Sequence, residues 1–280
     1  MLGKNPMTPF VCPLCQTHFS QNNNTQICEN NHHFDIAKEG YLNLLPVNAK
    51  NSKNPGDNKE MMMARRHFLD SGGYKPLAEK LSVLVTQLLV NKDKATLLDL
   101  GCGEGYYTHL LATNLSESTT ITALDISKVA IRYAAKRYKS INFCVASAYD
   151  VPLESDSLDA LIRIYAPSLD SELQRLIKQD GYLITVTPAP RHLFELREKI
   201  YDKVNAHLSE NEAPAGFTKV EQINLNYPLN INDAQTLKDL IQMTPFAWKF
   251  NEEKMQSLLA EKEWKIECDF NIEVYRRRES

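Results

Sequence analysis

The sequence predicts an α/β protein: an open, mainly parallel sheet with covering helices, preceded by a small module folded around a metal ion. Three observations carry this reading. Apolar runs of strand character alternate with helical patterns from Thr96 onward. One run, Leu97-Leu98-Asp99-Leu100, passes directly into glycines at alternate positions, Gly101, Gly103 and Gly105. Three of the six cysteines crowd the first thirty residues at metal-ligand spacing.

The totals set outer limits. A chain of 280 residues exceeds one typical domain, so one large domain with a smaller companion is expected. A composition of 43% hydrophobic and 24% charged residues is ordinary for a globular enzyme. The net charge of −3 argues against a protein that coats nucleic acid by bulk charge, while leaving room for a local basic patch. The longest apolar run, Leu81–Val90, is broken by Ser82, Thr86 and Gln87 and is too short to span a bilayer. Met1-Leu2-Gly3-Lys4-Asn5-Pro6 lacks the apolar core of a secretory signal, so the expected setting is the cytoplasm, without a membrane partner. There, clustered cysteines read as metal ligands rather than disulfides.

Residues 1–48 form the metal module. Cys12-Pro13-Leu14-Cys15 is a C-x-x-C knuckle, followed by Cys28 and His32 to complete C-x2-C-x12-C-x3-H. Zinc takes four tetrahedral thiolate or imidazole ligands, and paired ligands on two tight turns supply them. The expected set is Cys12, Cys15, Cys28 and His32. His33 is the nearest competitor and His18 a remote one, and the three-residue gap after Cys28 favours His32. Four such ligands leave no open coordination position, so the zinc is structural, and so small a unit depends on it to fold. The polar stretch Gln21–Gln26 suits a hairpin tip.

Residues 49–92 read as a linker and covering helices. Phe34–Pro46, before them, packs the module onto its neighbour, and the polar segment 48–60, with Pro55-Gly56, is a loop at the domain boundary. Glu60–Leu69 has helical composition and carries Arg65-Arg66; Ser71-Gly72-Gly73 stops it. Leu77, Leu81, Leu84 and Leu88 recur at helical spacing, predicting an amphipathic helix over Pro76–Val90. Arg65, Arg66 and Lys75 suit either a phosphate grip or a solvated helix face. Tyr74 suits either a cap over a cofactor or packing at a helix start.

Residues 93–280 form the large domain. Strand one ends at Leu100 and its helix spans Gly105–Asn114; strand two, Thr120–Leu124, ends at Asp125; strand three is Asn142–Ala146, strand four Leu158–Tyr165 and strand five Gly181–Thr187. Helical crossovers make the sheet mainly parallel, and Phe217–Asn230 with Trp264–Tyr275 suit a closing antiparallel pair. The glycine spacing then separates cofactors. A dinucleotide site needs G-x-G-x-x-G, whereas Gly105 here is followed by Tyr106, which also excludes a nicotinamide oxidoreductase. The string D-x-G-x-G-x-G resembles the first motif of methyltransferases that use S-adenosylmethionine. The expected fold is therefore a Rossmann-like class I SAM-dependent methyltransferase sheet with an N-terminal zinc-ribbon module.

Ligands in such sheets lie beyond the carboxyl ends of the strands, which selects the residues worth naming. Asp125, ending strand two, suits both ribose hydroxyls. Ser147, after strand three, and its neighbours suit the adenine. Asp99 suits hydrogen bonds from the glycine loop or from the cofactor's amino group, and Glu104 acts through backbone or side chain. With Tyr74 and His192, the loop glycines Gly101, Gly103 and Gly105 complete the expected cofactor set. The acceptor side falls to Arg163-Ile164-Tyr165-Ala166-Pro167 and Thr187–His192. There is no N-P-P-Y or D-P-P-Y motif, and neither loop carries a cysteine for a covalent adduct; Cys144 lies inside strand three. Direct transfer to nitrogen or oxygen is favoured, with His192, Tyr165 and Arg163 as catalytic candidates. His192 suits a base, a contact to the methionine end, or no role at all.

Taken together, the C-P-L-C…C-x3-H knuckle, His33–Tyr41, Asn43-Leu44-Leu45-Pro46, Leu98–Tyr107, Asp125-Ile126-Ser127-Lys128, Arg163–Pro167 and Met243-Thr244-Pro245-Phe246 resemble the bacterial large-subunit ribosomal RNA guanine-N1-methyltransferases over nearly the whole chain. The resemblance implies methylation of ring N1 of a guanine in a 23S rRNA hairpin, with S-adenosylmethionine as donor. It implies zinc on Cys12, Cys15, Cys28 and His32, cofactor contacts from Tyr74, Gly103, Glu104 and His192, and a homodimer whose paired zinc modules form an RNA cleft. N1 lies on the Watson–Crick edge, so the base must be unpaired or flipped out, and Tyr165 and Phe246 are candidates to stack on it. The rivals are a methyltransferase for a small molecule or protein, and a zinc-ribbon RNA-binding protein without catalysis; the intact glycine string and Asp125 weigh against the second.

Overall fold

Strands buried on both faces and 3.6-residue stripes on the helices sort the chain into a central sheet with layers on both faces. The computed structural model describes residues 8–46, 59–201 and 212–278. The N-terminal module is a three-stranded antiparallel ribbon of β1 (Phe19–Asn22), β2 (Thr25–Cys28) and β3 (His33–Asp35). Its first hairpin turns on Asn23-Asn24, with Asn23 at φ 52°, a left-handed conformation that asparagine tolerates.

The next strand, β4 (Leu42–Asn43), does not stay with the module. It pairs in parallel with β7 (Asn142–Val145), placing Leu42 opposite Cys144. The segment expected to pack the module onto its neighbour thus supplies the eighth strand of the main sheet. The expected boundary loop at 48–60 falls largely on residues 47–58, outside the described ones.

Two helices follow, α1 (Lys59–Asp70) and α2 (Lys75–Leu89). Pro76 opens α2, where its missing N–H costs nothing, and Leu77, Leu81, Leu84, Val85 and Leu89 bury its inner face. The sheet then alternates: β5 (Thr96–Leu100), α3 (Tyr106–Asn114), β6 (Thr120–Asp125), α4 (Lys128–Arg137), β7, β8 (Leu158–Ile164), α5 (Asp170–Leu176), β9 (Ile177–Pro188) and α6 (Phe194–Glu198). β10 (Phe217–Ile231), α7 (Ala234–Gln242), α8 (Glu252–Leu259) and β11 (Trp264–Arg277) close it. β9 starts four residues before the expected Gly181, because Ile177 already pairs with Leu158 across a bulge.

The strand order is β10-β11-β9-β8-β5-β6-β7-β4, parallel except for β9–β11 and β11–β10. Chain order reverses between β5 and β8, the switch point where open sheets leave a crevice at the carboxyl ends of their strands. One face is covered by α1, α2, α4 and α7. The other carries Leu98, Leu100, Leu124, Cys144 and Leu161 and is covered by α5 together with Phe10, Cys12, Phe19, Cys28 and Leu44 of the metal module. The module therefore serves as a covering layer. Among the described residues, no helix is long and apolar enough to cross a membrane.

Candidate active site and zinc centre

At the metal module, Cys12, Cys15, Cys28 and His32 bring their ligand atoms within 4.8 Å of one another. His32 Nδ1 lies 3.5 Å from Cys12 Sγ, 3.5 Å from Cys15 Sγ and 3.3 Å from Cys28 Sγ, and the last two sulfurs are 3.6 Å apart. A tetrahedron built on Zn–S bonds of about 2.3 Å has edges of roughly this length. Gln16 (φ 59°) and Asn31 (φ 62°) adopt the left-handed turns that fold the two knuckles, and the His32 amide donates to Cys28 Sγ. The set would hold zinc, with no open position for chemistry. His33 turns away to Asn31 Oδ1, and His18 reaches Glu154 at 3.2 Å, so neither competitor joins the set.

The crevice at the switch point is a cavity of about 1140 Å³. The three glycines of the loop after β5 all have positive φ, for three different reasons. A Cβ on Gly101 would lie 2.5 Å from Ala166 Cβ, so glycine lets the loops after β5 and β8 close on each other. A Cβ on Gly105 would press on Phe143 and Ala134, which makes its role packing; it does not line the cavity. A Cβ on Gly103 would meet no atom within 4 Å, so this stretch of bare backbone faces open space for a ligand.

Three carboxylates surround that loop. Asp125, at the carboxyl end of β6, accepts the Gly103 amide at 2.9 Å and the Ser127 amide at 2.7 Å, one on each oxygen. Asp99 is buried and accepts from the Thr108 hydroxyl at 2.6 Å; burial outweighs that bond and pushes its carboxyl up to about 7. Glu104 is also buried and also pushed up to about 7 by burial, against the pull of Arg66, 3.3 Å away, and Arg137. Its Oε1 is buried without a hydrogen-bond partner among the described residues, an acceptor in the cavity wall.

Across the cavity stands an aromatic cluster centred on Phe270 of β11, whose ring lies 5.1 Å from that of Tyr74 and 4.6 Å from that of His192. The Tyr74 hydroxyl is 3.3 Å from His192 Nε2, and His192 Nδ1 accepts the Asp269 amide at 3.3 Å. Nδ1 is therefore the bare nitrogen of a neutral ring, with the proton on Nε2 facing Tyr74. Both ring nitrogens are engaged, which fits an orienting group and argues against a general base. Tyr165 (φ 57°) and Leu193 (φ 52°), two bulky residues in left-handed backbone, also line the cavity. Such strain persists only where the surroundings impose it, and it gathers at functional sites.

The family description "RlmA, N-terminal", a zinc ribbon, matches residues 10–53, and "Methyltransferase domain" matches residues 91–261. The 23S rRNA (guanine(748)-N(1))-methyltransferase of Streptomyces fradiae is 30% identical, with 93% of each chain aligned. The chain belongs to the 23S rRNA guanine-N1-methyltransferase family. Bacillus subtilis YxjB, provisionally named for the same activity without a position, is likewise 30% identical over 94% of this chain and 95% of its own. A Micromonospora griseorubida protein, also provisionally named, is 28% identical over 89% and 90%.

The methyltransferase thus uses S-adenosylmethionine, and most of the residues singled out from its sequence meet in one place. Tyr74, Asp99, Gly101, Gly103, Glu104, Asp125, Ser147, Tyr165 and His192 all line the cavity. Arg163 does not. Strand alternation turns Ile164 into the cavity and Arg163 to the opposite face of the sheet, where it donates to Ser168 Oγ and borders a separate polar pocket with Glu273 and Tyr275. Of the open basic residues, Arg65 lines the cavity, Arg66 pairs with Glu104, and Lys75 pairs with Glu79 on the surface. Sequence reasoning missed Thr108, Phe270 and Tyr201. A threonine on the helix after the glycine loop was a readable partner for Asp99, whereas Phe270 and Tyr201 arrive from distant segments with no local signal.

Proposed function

We propose that this enzyme transfers the methyl group of S-adenosylmethionine to ring N1 of a guanine in a 23S rRNA hairpin, taken as an unpaired or flipped-out base. The observation that carries this reading is the single cavity that joins a cofactor cradle, Gly103 with Asp125, to aromatic walls at Tyr165 and Phe246. Asp125, at the carboxyl end of β6, would take the ribose hydroxyls, Ser147 would border the adenine, and Tyr74, beside His192, would hold the methionine end. Bound there, S-adenosylmethionine would supply an activated methyl group for direct in-line transfer: the S–CH3 bond breaks to leave S-adenosylhomocysteine, the N1–CH3 bond forms, and the N1 proton passes to bulk water. The chain's own residues align the acceptor and hold water away. Tyr165 and Phe246 offer flat faces to a base removed from its stack. The zinc module reads the hairpin by shape and phosphate, which requires no large net charge. Family resemblance supports a homodimer as the acting form, and a ribosomal substrate supports the cytoplasm as its setting.

The test is incubation with labelled S-adenosylmethionine and 23S rRNA lacking this modification, followed by primer extension. We expect label in the RNA and a stop at one guanine, since an N1-methyl group blocks Watson–Crick pairing. An RNA that remains unlabelled while the cofactor binds would refute the proposal.

A further inference from the structure

The chain has two tryptophans with opposite fates. Trp264 is buried and donates its indole N–H to the Leu258 carbonyl at 2.9 Å. Trp248 is 79% exposed. A large aromatic side chain held in water brings apolar area that a binding partner would cover. Its position indicates which partner. Trp248 stands on the short 3-10 turn Ala247–Lys249, directly after Met243–Phe246, all four of which line the cavity. Lys249 Nζ lies 3.9 Å from the centre of the Tyr201 ring and 5.2 Å from that of Trp248. Tyr201 itself lines the cavity. A cation therefore sits between a ring in the wall and a ring in solvent, and Lys249 has no acidic partner among the described residues.

Aromatic faces interleaved with cations are what an unpaired nucleic acid strand requires: the rings accept bases by stacking and the ammonium faces phosphate. A base that leaves its stack to enter the cavity also strips its neighbour of a stacking partner. We propose that Trp248, with Lys249 and Tyr201, forms a ledge on which the nucleobase adjoining the target guanine stacks, holding the strand at the cavity mouth. The inference rests on the RNA reading above and adds the residues that grip the flanking strand.

Two measurements on the full-length enzyme test it. Because Trp264 is shielded, a fluorescence change on adding the hairpin RNA reports on Trp248, and stacking is expected to quench it. Trp248→Ala should raise KM for the RNA about 5- to 160-fold, the range of base–aromatic stacking, with a smaller change in kcat. Its affinity for S-adenosylmethionine and its melting temperature should stay as in the unsubstituted enzyme, and Trp248→Phe should recover most of the KM. An unquenched tryptophan and an unchanged KM, with the unsubstituted enzyme methylating the same RNA, would overturn the ledge and leave the proposed function standing. So would a tryptophan signal that follows protein concentration without RNA, which would place Trp248 between copies of the chain. Absence of transfer by the unsubstituted enzyme would overturn the RNA reading and the ledge with it.

Discussion

Asp99 and Glu104 place two carboxyl groups in the wall of one cavity, both pushed up to about 7 by burial. In the unfolded chain they titrate near the ordinary carboxylate values of 3.8 and 4.5. Between those values and about 7 the folded protein binds more protons than the unfolded one, so these groups lower its stability as pH rises across that interval. S-adenosylmethionine carries a sulfonium, an ammonium and a carboxylate, a net charge of +1, and bound in this cavity its cations would favour the ionised form of both side chains. Cofactor binding should therefore release protons near pH 7 and tighten from pH 6 to pH 8. Calorimetry in buffers of different ionisation enthalpy measures that release, and Asp99→Asn should reduce it; a binding enthalpy independent of the buffer would contradict the coupling. These residues were readable because the loop is local: Asp99, Gly103 and Glu104 lie within six residues. Gly105 belongs to the same string, yet its neighbours Phe143 and Ala134 come from other elements, so its packing role was not readable there.

The parallel strands are held at their amino ends as well as shaped at their carboxyl ends. Asp159 of β8 is buried and accepts from the Thr96 amide at 3.0 Å, the Thr96 hydroxyl at 2.9 Å and Lys178 Nζ at 2.8 Å, tying β5, β8 and β9 together. Burial pushes its carboxyl up, but the bonds from Lys178 and Thr96 outweigh this and hold it below the ordinary value. Its contribution is thus present above the unfolded carboxylate range and is lost as pH falls through the depressed folded value. Asp159→Ala leaves the Thr96 amide without its acceptor and should cost about 2–3 kcal/mol, read as a lower urea midpoint at pH 7. An unchanged midpoint would show that the clamp adds nothing. At this scale the sequence was legible wherever an element had enough residues to show a period: β5, α3, β6, β7 and β8 fall within a residue or two of expectation. β4, two residues long, has no period to read. Only pairing with β7 makes it a strand.

Across the whole molecule, the zinc module and the cofactor site share one apolar cluster. Phe10, Cys12 and Cys28 pack with Ala146 and Val151, which flank the Ser147–Tyr149 turn bordering the cavity. The Val11 amide donates to the Pro152 carbonyl at 3.0 Å, and the Leu44 amide to that of Val145 at 2.9 Å. The module therefore buttresses the cofactor site from behind. Cys28→Ser should release zinc, whose binding supplies on the order of 10 kcal/mol to small modules of this kind, and loosen that turn with it. We expect S-adenosylmethionine to bind about tenfold more weakly, a loss of about 1.4 kcal/mol, with zinc content assayed in parallel. Zinc-free protein that binds the cofactor as before would show the module to be separable.

The sequence by itself pointed to a four-residue metal set, the cofactor class and the β5-to-β9 alternation of strands and helices, the first two because they are written in local spacing: Cys12 to Cys15, Cys28 to His32, Asp99 to Gly105. Tertiary structure alone decided that Arg163 turns away from the site, that His192 is engaged on both nitrogens, that Phe270 centres the aromatic wall and that the zinc module covers one face of the sheet. These depend on which strands become neighbours and which face each side chain takes. Contacts between residues dozens to nearly two hundred positions apart, such as Tyr74 with His192 and Phe270, leave no mark in any local pattern.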